Sequence, residues 1–245
     1  MSREFRADRL TRLSAIEGRH FWFAGRRALF DRLRRKYLRL SPGRVLDVGC
    51  GTGSEAARIS SEGLAVVGLD RRPESLRAAR PSAGRLGMLN GDAVQLPCGG
   101  ESFDAVFLLD VLEHVDDVSA LREARRVLSP GGFLFLSVPA YPRLWSYRDE
   151  DAGHRRRYTR ASLEKAARAA RLEIREIGYY QCLLFPLVVA SRIFGRRGPF
   201  AREAEDLPFT GVNALFRLVN RFEVSLGGLV RWPWGSSLVA VCQKG

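Results

Sequence analysis

Short apolar runs alternate along this chain with stretches where apolar side chains return every third or fourth position. The runs are Val45–Val48, Leu64–Leu69, Leu86–Leu89, Phe103–Leu109, Phe133–Val138, Leu172–Gly178 and Ser237–Cys242. Each is strand length, and the first five are apolar on both faces, as buried parallel strands are. Between them the period becomes helical. Leu76 and Ala79 follow Pro73, Leu121 to Leu128 is amphipathic, and Thr159 can cap a helix through Ala170. Strand and helix in alternation predict an α/β protein, a parallel sheet with helices on both faces.

The chemistry gathers where the predicted strands end. Arg44-Val45-Leu46-Asp47-Val48-Gly49-Cys50-Gly51-Thr52-Gly53 runs from a buried strand into a glycine-rich turn. Gly49, Gly51 and Gly53 let the backbone turn tightly and approach a ligand. A dinucleotide fingerprint wants its third glycine one residue later, where Ser54 stands. Asp70 ends the second run, where an acid can accept two ribose hydroxyls. Asn90-Gly91-Asp92-Ala93 follows the third run, and Asp110-Val111-Leu112-Glu113-His114-Val115 the fourth. Each acid could merely cap a turn. Together they converge on the crevice where open α/β sheets bind ligands.

The Asp-x-Gly-x-Gly-x-Gly motif, Asp70, Asp92, the Asp110–Val115 segment and the Leu-x-Pro-Gly-Gly turn at residues 128–132 resemble the class I S-adenosylmethionine-dependent methyltransferases, with a type 11-like core. The resemblance covers residues 41–140. It implies a Rossmann-like, seven-stranded, mostly parallel sheet with an antiparallel last strand. It implies that Asp47, Gly49, Cys50, Gly51 and Gly53 hold the methionine part of S-adenosyl-L-methionine, and that Asp70 with Arg71 holds the ribose. Asp92 and Ala93 are expected at the adenine, and Leu109 and Asp110 near the sulfonium. The product would be S-adenosyl-L-homocysteine.

Outside that core the chain divides into a helical cap at residues 1–40 and a methyltransferase domain at 41–245, which carries an acceptor-side loop at 139–158 and a helical insertion at 181–235. In the cap, Leu29, Phe30, Leu33, Tyr37 and Leu40 form a helical stripe among arginines. The preceding cluster reads as a staple or as a lid, with Trp22, Phe23 and Arg26 facing the substrate. The loop, predicted to lack sustained helical repeat, carries Tyr141, Trp145, Tyr147 and a Gly-His-x-Arg-Arg-Tyr run similar to a subset of bacterial methyltransferases. His154, Tyr158 and His114 are its catalytic candidates. Asp151 is the acid expected to orient His154, and Arg156 a substrate contact. In the insertion, Val212, Leu215, Phe216, Val219, Phe222, Leu226, Leu229 and Val230 are spaced for one helix face, beside Arg217, Arg221 and Arg231. That face can pack on the sheet, on a second subunit or in a membrane interface. Ubiquinone-biosynthesis methyltransferases, which the core resembles, offer a precedent for membrane access through an insertion here.

The net charge of +13 sharpens this picture through its distribution. Residues 1–40 hold 12 basic and 4 acidic side chains, residues 41–140 hold 10 and 13, and residues 141–245 hold 18 and 10. Positive charge therefore sits in the flanks, which would suit an anionic acceptor or surface. Arginine-rich codon usage explains part of it, since only three basic residues are lysines. Four dispersed cysteines signal neither disulfides nor a zinc site, so no metal is expected, and a reducing cytoplasm fits. No signal peptide or spanning run is read, which predicts a cytoplasmic, soluble or membrane-associated protein. The expected reaction is methyl transfer to a small-molecule or lipid-like acceptor. Methylation of nucleic acid and non-catalytic cofactor binding at a membrane are the rival readings; the acceptor atom and the oligomeric state stay open.

Overall fold

A computed structural model describes residues 15–38, 43–79, 86–194, 209–227 and 230–245. Leu40, Leu229 and the first fourteen residues of the cap lie outside them. The chain begins with α1 (Phe21–Tyr37) and then enters β1 (Arg44–Val48), α2 (Ser54–Ser61), β2 (Ala65–Asp70), α3 (Pro73–Ala79), β3 (Gly87–Asn90) and β4 (Phe103–Leu109). A 3-10 turn at Leu112–His114 precedes α4 (Asp117–Val127) and β5 (Leu128–Pro139). The acceptor-side segment holds a 3-10 turn at Pro142–Leu144 and α5 (Tyr147–Ala152). Then come α6 (Arg160–Ala169), β6 (Glu173–Tyr180), α7 (Phe185–Phe194), α8 (Thr210–Leu226) and β7 (Ser237–Gln243).

The seven strands form one sheet in the order β3-β2-β1-β4-β5-β7-β6, parallel except for β7, which runs antiparallel to both neighbours. The expected fold is the observed one. Because β1 pairs with β2 on one side and β4 on the other, the strand order reverses at β1, and a crevice opens above the carboxyl ends of β1 and β4. Pro139 pairs with Ser237, and Ser237 with Tyr180, so the insertion leaves and re-enters the sheet at that same edge.

Apolar side chains on both faces of the central strands make two cores. One, under α4 and α6, includes Leu46, Leu108, Leu121 and Leu163. The other, under α1 and α2, includes Phe30, Ile59, Phe107 and Phe135. Phe107 stacks on Phe135 with ring centroids 4.8 Å apart. The Leu-x-Pro-Gly-Gly segment does not precede β5 but lies inside it. Leu128 already pairs with Phe103, and the register slips before Phe133 meets Ala105, with Gly131 at φ 75° in the irregularity.

Two elements differ from expectation for physical reasons. The loop at 139–158 contains a helix because Ser146 and Asp149 form a capping box and Gly153 closes it in the left-handed region at φ 72°. The apolar stripe of α8 is not its buried face. Asn213, Asn220, Glu223 and Val224 turn inward, while Val212, Leu215, Leu218 and Phe222 are exposed and Phe216 and Val219 half-buried. Hydrogen bonds set this orientation. Asn213 accepts from Phe21 N and donates to Arg19 O, both at 2.9 Å, and Asn220 donates to Phe21 O at 3.1 Å. Glu223 accepts from the Cys182 and Leu183 amides at 2.9 and 3.0 Å. Polar anchoring to the start of α1 thus outweighs burial of the stripe. Among the described residues no helix is long and apolar enough to cross a membrane.

Candidate active site

The glycine turn is held by the neighbouring strand. Gly49 N and Cys50 N both donate to Leu69 O, at 2.7 and 3.0 Å, and Gly51 N donates to Asp70 Oδ2 at 3.1 Å. Gly49, Gly51 and Gly53 have φ of 73°, 54° and 73°, a region that favours glycine. A Cβ on Gly49 would stand 2.5 Å from Val111 Cγ2, so the turn packs directly on the segment after β4. One on Gly51 would meet nothing within 4 Å. That side of the turn is open to a ligand.

The acids around it differ in their partners. Asp70 is buried, and its other oxygen accepts from Arg72 N at 2.8 Å, which leaves about two of a carboxylate's four lone-pair positions. Arg71 beside it is exposed. Asp47 is only 3% exposed, and no donor meets its carboxylate among the described residues. Burial, with a smaller contribution from Glu55, pushes its pKa up to about 7. Asp92 is exposed and accepts from Val94 N at 3.1 Å, an Asx turn leading to buried Ala93. Burial pushes the Cys50 thiol up, which makes it a poor nucleophile at neutral pH. Leu109 is half-buried at the end of β4, before Asp110.

Asp110, at φ 56°, accepts from Ser137 Oγ at 3.1 Å and from Arg26 Nη1 at 2.5 Å. Arg26 thereby ties α1 across the crevice. Its guanidinium lies 4.6 Å from the centroid of Trp22 and 5.3 Å from that of Phe23. Glu17 adds a second tie by accepting from Thr52 Oγ1 at 2.6 Å. The three cap residues named from sequence are thus one cluster, joined through Arg26 to Asp110 at the end of β4.

On the acceptor side, Asp149 is the hub. It is 1% exposed and accepts from Ser146 N, from Arg157 Nε at 2.8 Å and from Arg192 Nη1 at 2.8 Å, while His154 Nδ1 lies 2.9 Å away. Burial alone would raise its pKa; the His154 hydrogen bond and the two guanidiniums outweigh it and hold the carboxyl well below the usual range. The acid that orients His154 is therefore Asp149 and not exposed Asp151. The Ser146-x-x-Asp149 spacing of a capping box was the available signal. Arg192 reaches in from α7, which no local pattern announces.

His154 and His114 face each other edge to face, centroids 4.9 Å apart, and His154 Nε2 lies 3.9 Å from Glu113 Oε1. His114 Nδ1 lies 3.2 Å from Gly153 O, and burial, with His154 nearby, lowers its pKa to about 4. Glu113, absent from the residues singled out in the sequence, is fully buried, and neither carboxylate oxygen accepts a hydrogen bond.

Other loop residues take structural positions. Tyr158 is 2% exposed, its hydroxyl 3.1 Å from Leu112 O and from Asp117 Oδ2, so it fastens the loop to the turn after β4 and presents no group to a substrate. Arg156 pairs with Asp117 at 3.0 Å. Tyr141 stacks on Tyr179 at 5.4 Å and packs against the core. Trp145 and Tyr147 are half-buried. A groove of about 810 Å³ runs along the edge strand β6 between α1 and Trp232. It includes none of the residues around the glycine turn.

Residues 46–136 match the methyltransferase domain family. An uncharacterized methyltransferase of Mycobacterium bovis is 39% identical over 110 residues, 45% of this chain and 42% of that protein. Demethylmenaquinone methyltransferase of Tropheryma whipplei is 38% identical over 105 residues, 40% of this chain and 43% of that one. The match thus spans less than half the length of these relatives. Among solved structures, Haemonchus contortus phosphoethanolamine N-methyltransferase 2 in complex with S-adenosyl-L-methionine superposes with a TM-score of 0.60 at 19% identity, covering 88% of this chain and 52% of that one. With the glycine turn, the strand-end acids and the sheet order already described, residues 46–136 match a methyltransferase domain, and the chain has the Rossmann-like fold of the class I S-adenosylmethionine-dependent methyltransferases.

Proposed function

We propose that the protein transfers the methyl group of S-adenosyl-L-methionine to a small-molecule or lipid-like acceptor. The observation that carries this is the pair of buried acids at adjacent strand ends, one of them without a donor, beside a glycine turn with open space. These groups fit the cofactor: Asp47 and the amides of residues 49–53 suit its ammonium and carboxylate, Asp70 with Arg71 its ribose, Asp92 and Ala93 its adenine. When bound, the cofactor supplies a methyl group on a sulfonium. The chain's task is to hold an acceptor in line with that methyl and keep water out. The Trp22, Phe23 and Arg26 cluster suits the covering role, with Asp110 as its anchor beside Leu109. Tyr141, Trp145 and Tyr147 border the acceptor side, and His154, held by Asp149, and His114 are the polar groups for the acceptor's reacting atom. Tyr158 and Arg156 act as positioning residues. The demethylmenaquinone relative supports an apolar acceptor. Incubation with methyl-labelled cofactor and a cell extract should place label in the organic-soluble fraction; label in RNA would overturn the acceptor class.

Asp47 gives the proposal a pH signature. A carboxylate that must be ionised to hold an ammonium, with a pKa of about 7, binds S-adenosylhomocysteine about tenfold more tightly at pH 8 than at pH 6. In the unfolded chain the same group ionises near 3.8, so between pH 4 and 7 the unfolded state holds fewer protons and the ligand-free protein loses stability as pH rises, by roughly 4 kcal/mol. Asp47→Asn is expected to flatten the binding profile and to raise the ligand-free melting temperature more at pH 8 than at pH 5. A variant that melts lower at pH 8, with unchanged affinity, would remove Asp47 from the site.

The same reading includes contact with an anionic membrane through α8. Phe209 is 90% exposed, and Val212, Leu215, Leu218 and Phe222 continue the stripe, with exposed Arg217 and Arg221 beside it. Leu215→Glu with Leu218→Glu should reduce sedimentation with phosphatidylglycerol vesicles at least tenfold and leave S-adenosylhomocysteine binding unchanged. Equal sedimentation of both proteins would reject the contact.

A further inference from the structure

We infer that Glu113, His114 and His154 form a divalent-cation site on the acceptor side of the crevice. Glu113 and His114 belong to the turn after β4, and His154 follows α5. Arg155 N donates to Glu113 O at 2.8 Å and joins the two segments. One ligand atom from each residue lies within 4.8 Å of the other two. Ligands about 2.0–2.2 Å from zinc stand about 3.3 Å apart in a tetrahedron, so closing on an ion takes movements of about 1 Å.

The orientation of the imidazoles favours this over a chance cluster. Gly153 O can only accept, so His114 carries its proton on Nδ1; Asp149 likewise takes the Nδ1 proton of His154. That leaves Nε2 of each ring as the nitrogen available to a cation, and His154 Nε2 lies 3.9 Å from Glu113 Oε1. An outer hydrogen bond to a carbonyl or carboxylate is the arrangement that fixes metal-binding histidines elsewhere. The third group is Glu113, wholly buried, with neither oxygen accepting a hydrogen bond. Burying an unpaired carboxylate is costly, and a cation would offset that cost. Two of the chain's three histidines are committed here, although no motif spacing announced a metal. Two imidazoles and a carboxylate suit zinc, iron(II) or manganese(II), with open coordination positions.

The role of such an ion rests on the methyltransferase reading. An acceptor hydroxyl bound in an open position would lose its proton to solvent near neutral pH. The oxygen lone pair would then form the C–O bond to the methyl carbon as the C–S bond breaks and the thioether leaves. That chemistry applies to oxygen acceptors, which narrows the substrate class.

The test is titration of the chelator-treated full chain with cobalt(II), followed by visible absorption, alongside calorimetry with S-adenosylhomocysteine on the same samples. One equivalent should bind with a micromolar Kd, and Glu113→Gln and His114→Ala should each weaken it at least tenfold, whereas His20→Gln should not. Circular dichroism checks that the variants fold; should Glu113→Gln fail, His114→Ala decides. Absence of cobalt binding by the wild-type chain, or binding indifferent to both variants, overturns the site. If S-adenosylhomocysteine still binds in that case, the methyltransferase reading survives. Cobalt binding without S-adenosylhomocysteine binding would keep the cation site and remove its role in methyl transfer.

Discussion

Asp70→Ala is expected to weaken S-adenosylhomocysteine binding at least 100-fold by calorimetry. Asp70 acts twice. Its carboxylate holds Gly51 N and Arg72 N, and so sets the shape of the glycine turn against β2, and its remaining lone pairs suit two ribose hydroxyls. Hydrogen bonds to a charged group contribute about 1.5–3 kcal/mol each, and losing two corresponds to a factor of 100 or more. Asp70→Asn keeps one acceptor oxygen and should lose about tenfold. If Asp70→Ala bound with the wild-type Kd, the ribose would not be held at the end of β2, and the cofactor assignment of the whole strand-end set would fall with it.

The second large effect is on stability. Asp149→Ala should cost about 3–5 kcal/mol, because it leaves the guanidinium of Arg157, with 4% of its side chain exposed, and that of Arg192 without their shared carboxylate. It also removes one half of the capping box that starts α5. For a chain of this size the melting temperature should drop by about 10 °C. Asp151→Ala, on the exposed side of the same helix, should stay within about 1 kcal/mol of wild type. Equal melting of the two variants would show that Asp149 is not the hub of the acceptor-side segment.

Asp149 also marks where reading along the chain reached its limit. The strands and the strand-end half of the candidate site are local features. A strand, a turn that needs glycine and an acid at the strand end are contiguous in sequence, and hydrophobic period plus turn chemistry suffices to find them. Asp47, Asp70 and Asp110 were legible for that reason. The acceptor half is assembled from separate segments. Choosing between Asp149 and Asp151 as the partner of His154 depends on where α5 starts and how Gly153 turns, and Arg192 comes from beyond β6.

The same contrast holds in the insertion. Periodicity correctly read a helix around residues 210–226 but picked out its apolar stripe as the coherent face. Which face is buried was decided by free backbone groups at the start of α1 and in residues 182–183, which Asn213, Asn220 and Glu223 satisfy. Burying apolar area is a property of composition and spacing, so it can be read from residues in order. Satisfying a particular amide or carbonyl depends on which segment arrives beside it. By itself, then, the sequence determined the α/β sheet and the acids at its strand ends. Only the tertiary structure decided the partner of His154, the convergence of Glu113 with two histidines and the outward face of α8, because each rests on contacts between residues far apart in the chain.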